Sequence, residues 1–144
     1  MTKAVFIDGE AGTTGLQIRE RLAGESAIRV LSVAPEKRKN ADARKALMAE
    51  ADLVVLCLPD DAAKDAVALA SSLGKDAPKI VDASTAHRVS EGWVYGFAEL
   101  NTEQAGKIRQ AAHVANPGCY PTGAIAMLHP LVAAGIVPRD YPIS

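Results

Sequence analysis

Cysteine is scarce in this chain, and neither sign of charge is in excess. The two cysteines, Cys57 and Cys119, stand far apart with no C-x-x-C pair and no histidine at ligand spacing. That argues against a disulfide framework and against a zinc or other metal site. Sixteen basic residues against seventeen acidic ones leave a net charge of -1, so no global field calls for nucleic acid or an anionic membrane, and any anion site has to be local. No apolar run approaches the roughly 18–20 residues of a membrane span. Asp8 interrupts the apolar start before it reaches the length of a signal peptide. The expectation is a cytoplasmic protein with no nucleic-acid or membrane partner.

What is present is a globular composition, 49% hydrophobic and 23% charged, in 144 residues, about the size of one ordinary domain. "KAVFI" (3–7) reads as a strand, closed by Asp8-Gly9 and followed by "TTGLQIRERL", in which Ile18 and Leu22 share a helical face. "IRVLSV" (28–33) predicts a second strand, 35–40 a basic loop, and "ADARKALMAE" a helix of high intrinsic propensity. "DLVVLCLP" (52–59) is a nearly continuous apolar run, the pattern of a strand buried on both faces of a parallel sheet, with Cys57 inside it. The stretch from Asp60 has an acidic start, helical apolar spacing and a glycine beyond its end. "PKIVDAS" (78–84) predicts a fourth strand, "GWVYGFAEL" an irregular segment, 101–112 a helix interrupted at Gly106, and "HVANPG" a brief strand and loop. "PTGAIAMLHPLVAAG" returns to helical spacing, with Pro130 a candidate kink. Strands alternating with helices imply an α/β, Rossmann-like, mainly parallel sheet with helices on both faces. Tyr141 to Ser144 read as the approach to another strand.

Four motifs carry chemistry. In "GEAGTTG" the glycines Gly9, Gly12 and Gly15 lie between a predicted strand and helix, where backbone N–H groups can approach a pyrophosphate and Thr13 and Thr14 can add hydroxyl donors. The spacing departs from G-x-G-x-x-G, and a tight turn alone also accounts for the glycines. "PEKRKN" follows the second strand, where ribose selectivity is set in this architecture. Lys37, Arg38 and Lys39 outweigh Glu36 there, so NADP(H) is expected over NAD(H), with Arg38 holding the 2'-phosphate by its fork. "DASTAHR" (82–88) ends the fourth strand, at the edge where ligands bind open α/β sheets. Ser84 is a candidate for cofactor contact and Arg88 for an anionic substrate group. His87, His113 and His129 have no partner motif and are read as structural or solvent-facing.

The fourth motif is "NPGCYPTG" (116–123). Proline is favoured in the first turn of a helix, which puts the Cys119 sulfur near a positive dipole end. An unperturbed thiol is only about 3% ionised at pH 7. Lowering a thiol pKa by about two units takes roughly 2.7 kcal/mol, whereas a helix terminus supplies about 0.3–1. A basic partner is therefore required, and no motif nominates one. Asn116 and the backbone N–H groups around Gly118 could orient and stabilise an oxyanion; the alternative is an unreactive thiol. Cys57, within an apolar strand, fits the inert reading.

Taken together, "DGEAGTTGLQIRERL", "CLPDDAAKDAV", "DASTAHR", "GWVYGFAEL" and above all "NPGCYPTG" resemble the shorter form of the N-acetyl-gamma-glutamyl-phosphate reductase family, over nearly the whole chain and in its amino-terminal half. The resemblance implies an enzyme of arginine biosynthesis that reduces an acyl phosphate with NADPH through a cysteine thioester, with Cys119 as nucleophile. It further implies that the glycine loop holds the pyrophosphate, that Ser84 and Asn116 lie near the cofactor, and that Arg88 lies near the substrate phosphate. By the same likeness residues 1–140 are the NADP-binding domain. Residues 141–144 then begin a second α+β domain, which carries the catalytic histidine and the contacts of a homo-oligomer. A chain of these residues alone is expected to turn over little substrate. An aspartate-semialdehyde dehydrogenase-like enzyme and a non-catalytic nucleotide-binding or redox-switch module remain the alternatives.

Overall fold

The structure, a computed structural model, describes residues 2–142. β1 (Lys3–Asp8), α1 (Thr13–Leu22), β2 (Ile28–Leu31), α2 (Ala41–Glu50), β3 (Leu53–Leu56), α3 (Asp60–Ser71) and β4 (Lys79–Asp82) alternate as expected. They are followed by β5 (Val94–Tyr95), α4 (Gln104–Gln110), β6 (His113–Ala115) and α5 (Cys119–Ala133). The six strands form one sheet in the order β2-β1-β3-β4-β6-β5, and every pairing is parallel. The chain steps outward from β1 to β2 and then crosses to the other side of β1 for β3. The switch point, and with it the ligand crevice of such sheets, lies at the carboxyl ends of β1 and β3.

Burial on both faces explains the apolar runs. Phe6, Val54, Leu56 and Ile80 pack toward Met48 of α2 and Ala63, Ala66 and Ala70 of α3, the alanines letting α3 lie close to the sheet. Val5, Ile7 and Val55 face the other way, against Ile18 and Leu22 of α1, the pair that the helical spacing had put on one face. Each such large side chain contributes about 1.5–3 kcal/mol by leaving water. Polar ties set the helices in place. Asn40 Oδ1 accepts from Ala43 N at 2.8 Å and caps α2, while Arg44 of α2 donates from Nε (3.0 Å) and Nη2 (2.6 Å) to Asp8 Oδ2 at the end of β1.

Several elements differ from expectation in extent. β2 and β3 end at Leu31 and Leu56, so Cys57 sits just past its strand. α4 starts only at Gln104, because Asn101 folds into a turn first: its Oδ1 accepts from Glu103 N at 3.0 Å and its carbonyl from Gln104 N at 3.2 Å. Gly106 does not interrupt α4. The segment read as irregular contains β5 and a 3-10 turn at Ala98–Leu100. α5 runs through Pro130, whose carbonyl still accepts from Ala134 N at 3.0 Å. Tyr141 N closes a turn on Pro138 O; the rest of the strand expected at 141–144, Ile143 and Ser144, lies outside the described residues.

Gly9 is the tightest point of the fold. Its φ is +92°, and a Cβ there would overlap the carbonyl oxygen of Cys57 and meet Leu58 Cδ2 at 3.2 Å. Gly9→Ala is expected to lower stability in urea unfolding by about 2–4 kcal/mol, from positive-φ strain plus overpacking. Gly24→Ala, where a Cβ meets nothing within 4 Å, should shift it by less than about 1 kcal/mol. Equal midpoints for the two variants would contradict the assignment.

Candidate functional site

Two of the three glycines of the "GEAGTTG" loop have a steric reason within the protein. Gly9 makes the turn against the end of β3. Gly15 lets α1 close on the loop, since a Cβ there would stand 2.5 Å from Gly9 O and 2.7 Å from Glu10 Cα. Gly12 is different, because its Cβ would meet only Gly9 O at an ordinary 3.5 Å. No protein contact demands glycine at 12, so the space beside it stays open. Gly12 also caps α1 without a side-chain hydrogen bond, and no acidic residue lies in the first turn. The N–H groups of Thr13, Thr14 and Gly15 thus open a positive dipole end toward the crevice, with both threonines exposed.

Arg38, chosen from the basic loop, lines a cavity of about 120 Å³ together with Asp8, Gly9, Glu10, Ala11, Val33 and Leu58. Lys37 ends a 3-10 turn at Pro35–Lys37 just before it. Glu10 was not singled out by the sequence reading, yet it is 4% exposed. It accepts from Ser32 Oγ at 2.8 Å and lies 3.5 Å from Arg19 Nη1, which pins the glycine loop to β2 and α1. A charged residue among glycines gives no signal of burial; only the sheet order brings Ser32 beside it.

The loop after β4 carries the second cluster. Asp82 is completely buried and accepts from Ser84 N (2.9 Å), Ser84 Oγ (2.6 Å) and His87 Nδ1 (2.6 Å). A carboxylate is acceptor-only, so the imidazole supplies the proton of that bond. Ser84 therefore directs its hydroxyl hydrogen inward, to Asp82. The ring of His87 stacks on Trp93 at 4.2 Å, and Trp93 on His113 at 4.9 Å. Burial, and then the nearby His87, hold His113 below the usual imidazole value. Thr85 donates to Asp60, from N at 3.0 Å and also from Oγ1, and these bonds lower the Asp60 carboxyl. The histidines read as structural include one that is tied to a buried charge, a pairing that five-residue spacing in a loop does not announce.

Arg88, Gly118 and Cys119 complete the site. Gly118 is buried and caps α5, and Cys119 is the first residue of that helix and exposed. A Cβ on Gly118 would stand 2.6 Å from Arg88 Nη1 and 3.0 Å from its Cζ, so the guanidinium lies close against the residue before the cysteine. Asn116 hangs from β6: its N donates to Asp82 O at 2.7 Å and its Nδ2 to Pro117 O at 3.1 Å. Thr122 Oγ1 donates to Gly118 O at 2.8 Å. The structure thus brings Asp82, Ser84, Arg88, Asn116 and Cys119 to one end of β4 and β6, and the glycine loop and Arg38 to the neighbouring ends of β1 and β2. Cys57 lies half-buried between them, its thiol pushed up first by burial and then by Asp8 and Asp82. No group of three or more His, Cys, Asp or Glu is placed to hold a metal among the described residues. No helix among them is long and apolar enough to cross a membrane.

A parallel sheet with a three-glycine loop at its switch point and an unblocked helix end beyond it defines a dinucleotide-binding domain. More specifically, the chain belongs to the family described as semialdehyde dehydrogenase, NAD binding domain, which matches residues 13–108. It is 54% identical over all 144 residues to an N-acetyl-gamma-glutamyl-phosphate reductase of Sinorhizobium medicae, and 55% identical to that of Allorhizobium ampelinum. In both cases it spans 46% of the relative's length. Among solved structures it resembles aspartate semialdehyde dehydrogenase II from Vibrio cholerae (TM-score 0.63, 18% identity, 93% of this chain and 47% of that one). It also resembles the Candida albicans aspartate semialdehyde dehydrogenase solved with NADP (TM-score 0.61, 14% identity, 92% of this chain and 47% of that one). At those identities the likeness is one of fold.

The two cysteines should separate chemically. Iodoacetamide at pH 8 is expected to modify Cys119 at least about tenfold faster than Cys57, whose thiolate burial disfavours, with the difference vanishing in denaturant. Because burial raises the Cys57 thiol above its ordinary value, the fold favours the protonated form. Its contribution to stability is therefore full below pH 9 and is lost as pH rises through the folded value. Peptide mapping showing equal rates in the native protein would refute the assignment.

Proposed function

We propose that this chain is the cofactor-binding and nucleophile-bearing part of an N-acetyl-gamma-glutamyl-phosphate reductase. It would act in the cytoplasm, in arginine biosynthesis, with NADPH. The observation that carries the reading is an exposed cysteine at the first position of a helix, with a guanidinium against the preceding glycine, in a chain 54% identical to such a reductase. The chain spans less than half of those relatives. Residues 1–140 are therefore read as the nucleotide domain, and 141–144 as the start of a second domain that supplies the base for Cys119 and the oligomer contacts.

The residues present fit the cofactor: Gly12 and the first turn of α1 offer a pyrophosphate cradle, with Thr13 and Thr14 beside it, and Arg38 a cation for the 2'-phosphate. When bound, the nicotinamide supplies the hydride of the reaction. The chain's own groups do the rest. Cys119 Sγ forms a bond to the acyl carbon of the N-acetyl-glutamyl 5-phosphate, and the first-turn N–H groups of α5 stabilise the oxyanion. Its collapse breaks the carbon–oxygen bond to phosphate, which leaves beside Arg88 and gives a thioester. After reduction, the carbon–sulfur bond breaks, returning the thiolate and releasing the semialdehyde. Asn116 and Ser84 lie where β6 and β4 meet the crevice and keep the backbone of both loops in place.

In the longer protein, Cys119→Ser should lower kcat by about 10³-fold or more while NADPH binding by fluorescence stays within about twofold. Arg38→Ala should weaken NADPH about 10- to 100-fold, the worth of a charged hydrogen bond, and leave NADH nearly unchanged. Reduction of the aspartyl phosphate in preference to the N-acetyl-glutamyl one would instead favour an aspartate-semialdehyde dehydrogenase. Loss of neither activity in Cys119→Ser would remove the covalent route.

A further inference from the structure

Arg88 forms no hydrogen bond or ion pair among the described residues, and its Nε is buried without a partner. With no polar partner, and with Asp60 near enough to feel its charge, its place against Gly118 depends on packing and on the backbone that bears it. That backbone is held at three points. Ser84 Oγ accepts from Ala86 N at 3.2 Å, and Ser90 Oγ donates to Ala86 O at 3.2 Å. Asp60 holds Thr85. His87, the immediate neighbour of Arg88, is fixed at its edge by Asp82 at 2.6 Å and on its face by Trp93. Burying a carboxylate is costly unless its oxygens are satisfied. Asp82 meets that condition only while the loop keeps its present shape, because all three donors come from residues 84 and 87.

We infer that Asp82 and His87 are positioning residues: through their mutual hydrogen bond they hold the Arg88 guanidinium over the amino end of α5, so that an anion approaching Cys119 meets a fixed positive charge. The inference deepens the proposed reductase reading, in which that anion is the phosphate of an acyl phosphate, and it rests on Cys119 being the reacting group. Asp82 and His87 touch neither substrate nor cofactor in this scheme. They act through the loop.

The readout is the charge preference of Cys119 alkylation in the longer protein carrying Cys57→Ala. Rates with anionic iodoacetate and neutral iodoacetamide give a ratio that a nearby cation raises. Simple loosening of the fold speeds both reagents and leaves the ratio alone. Arg88→Ala should lower it about two- to threefold, the order expected for losing one solvent-screened charge near the sulfur. His87→Phe, which keeps a ring on Trp93 but no donor, should lower it nearly as far. His87→Asn, whose amide can still donate to Asp82, should keep most of it. If His87→Phe does not fold by circular dichroism, Asp82→Leu, similar in shape but without an acceptor, takes its place with the same expectation. A ratio unchanged in the His87→Phe or Asp82→Leu protein, or unchanged in Arg88→Ala, overturns the inference. Acyl-phosphate reduction is measured separately. Its absence in the unsubstituted protein, with the ratios behaving as expected, would sink the reductase reading and leave the positioning intact.

Discussion

The parallel register of the sheet is the constraint from which the site follows. Because β1, β3, β4 and β6 all point the same way, the segments that leave them emerge at one edge. Those segments are the glycine loop, the turn into α3, the 83–88 loop and the cysteine turn. Neighbouring strands lie only about 4.8 Å apart, so these loops must share very little space. The contact between Gly9 and the Cys57 carbonyl shows how little. The same crowding brings Arg88 onto Gly118; a side chain at Gly9 would wedge two loops apart, whereas one at Gly118 would push the Arg88 guanidinium aside.

Buried charge gives the loops their shape. Asp8, Glu10 and Asp82 are all nearly inaccessible, and each is compensated by a different element: Arg44 of α2, Ser32 beyond β2 with Arg19 of α1, and the donors of residues 84 and 87. None of these pairs is a large net source of stability, since desolvation offsets most of the attraction. Their effect is directional. A loop that must bring specific donors to a buried oxygen has few conformations available, and the residues next to those donors inherit the fixed geometry.

The sequence exposed the architecture better than it exposed the polar contacts. The β-branched runs at 3–7 and 52–59 and the alanine-rich stretch from Asp60 announce buried strands and a close-packed helix, because burial on two faces leaves a compositional trace. The glycine loop, Arg38, Arg88 and Cys119 stood out as candidates because backbone approach, phosphate pairing and nucleophilic sulfur each restrict residue type, and the structure places them at neighbouring strand ends. Glu10 and the Asp82–His87 pair were not. Their significance lies in which strand ends become neighbours, a property of sheet order that no local spacing encodes. β5 was missed for a related reason: two residues are too few for alternation to register, and Val94 and Tyr95 become a strand only by pairing with Val114 and Ala115.

α5 is anchored unevenly. Gly118 before it is buried, but the Thr122 hydroxyl bonds back to Gly118 O within the same turn, and none of the fifteen residues of the helix is fully buried. Met127 is 68% exposed, and Ile125, Leu128 and Val132 border a shallow cavity of about 310 Å³ beside Leu100. Mechanically the helix is a rod roughly 22 Å long at 1.5 Å per residue, and its main footing is the turn at Ala98–Leu100, beside its middle. A tilt of a few degrees about that footing moves both ends, the sulfur's included, by up to about an ångström. Covering the outer apolar length would therefore also steady the aim of the sulfur.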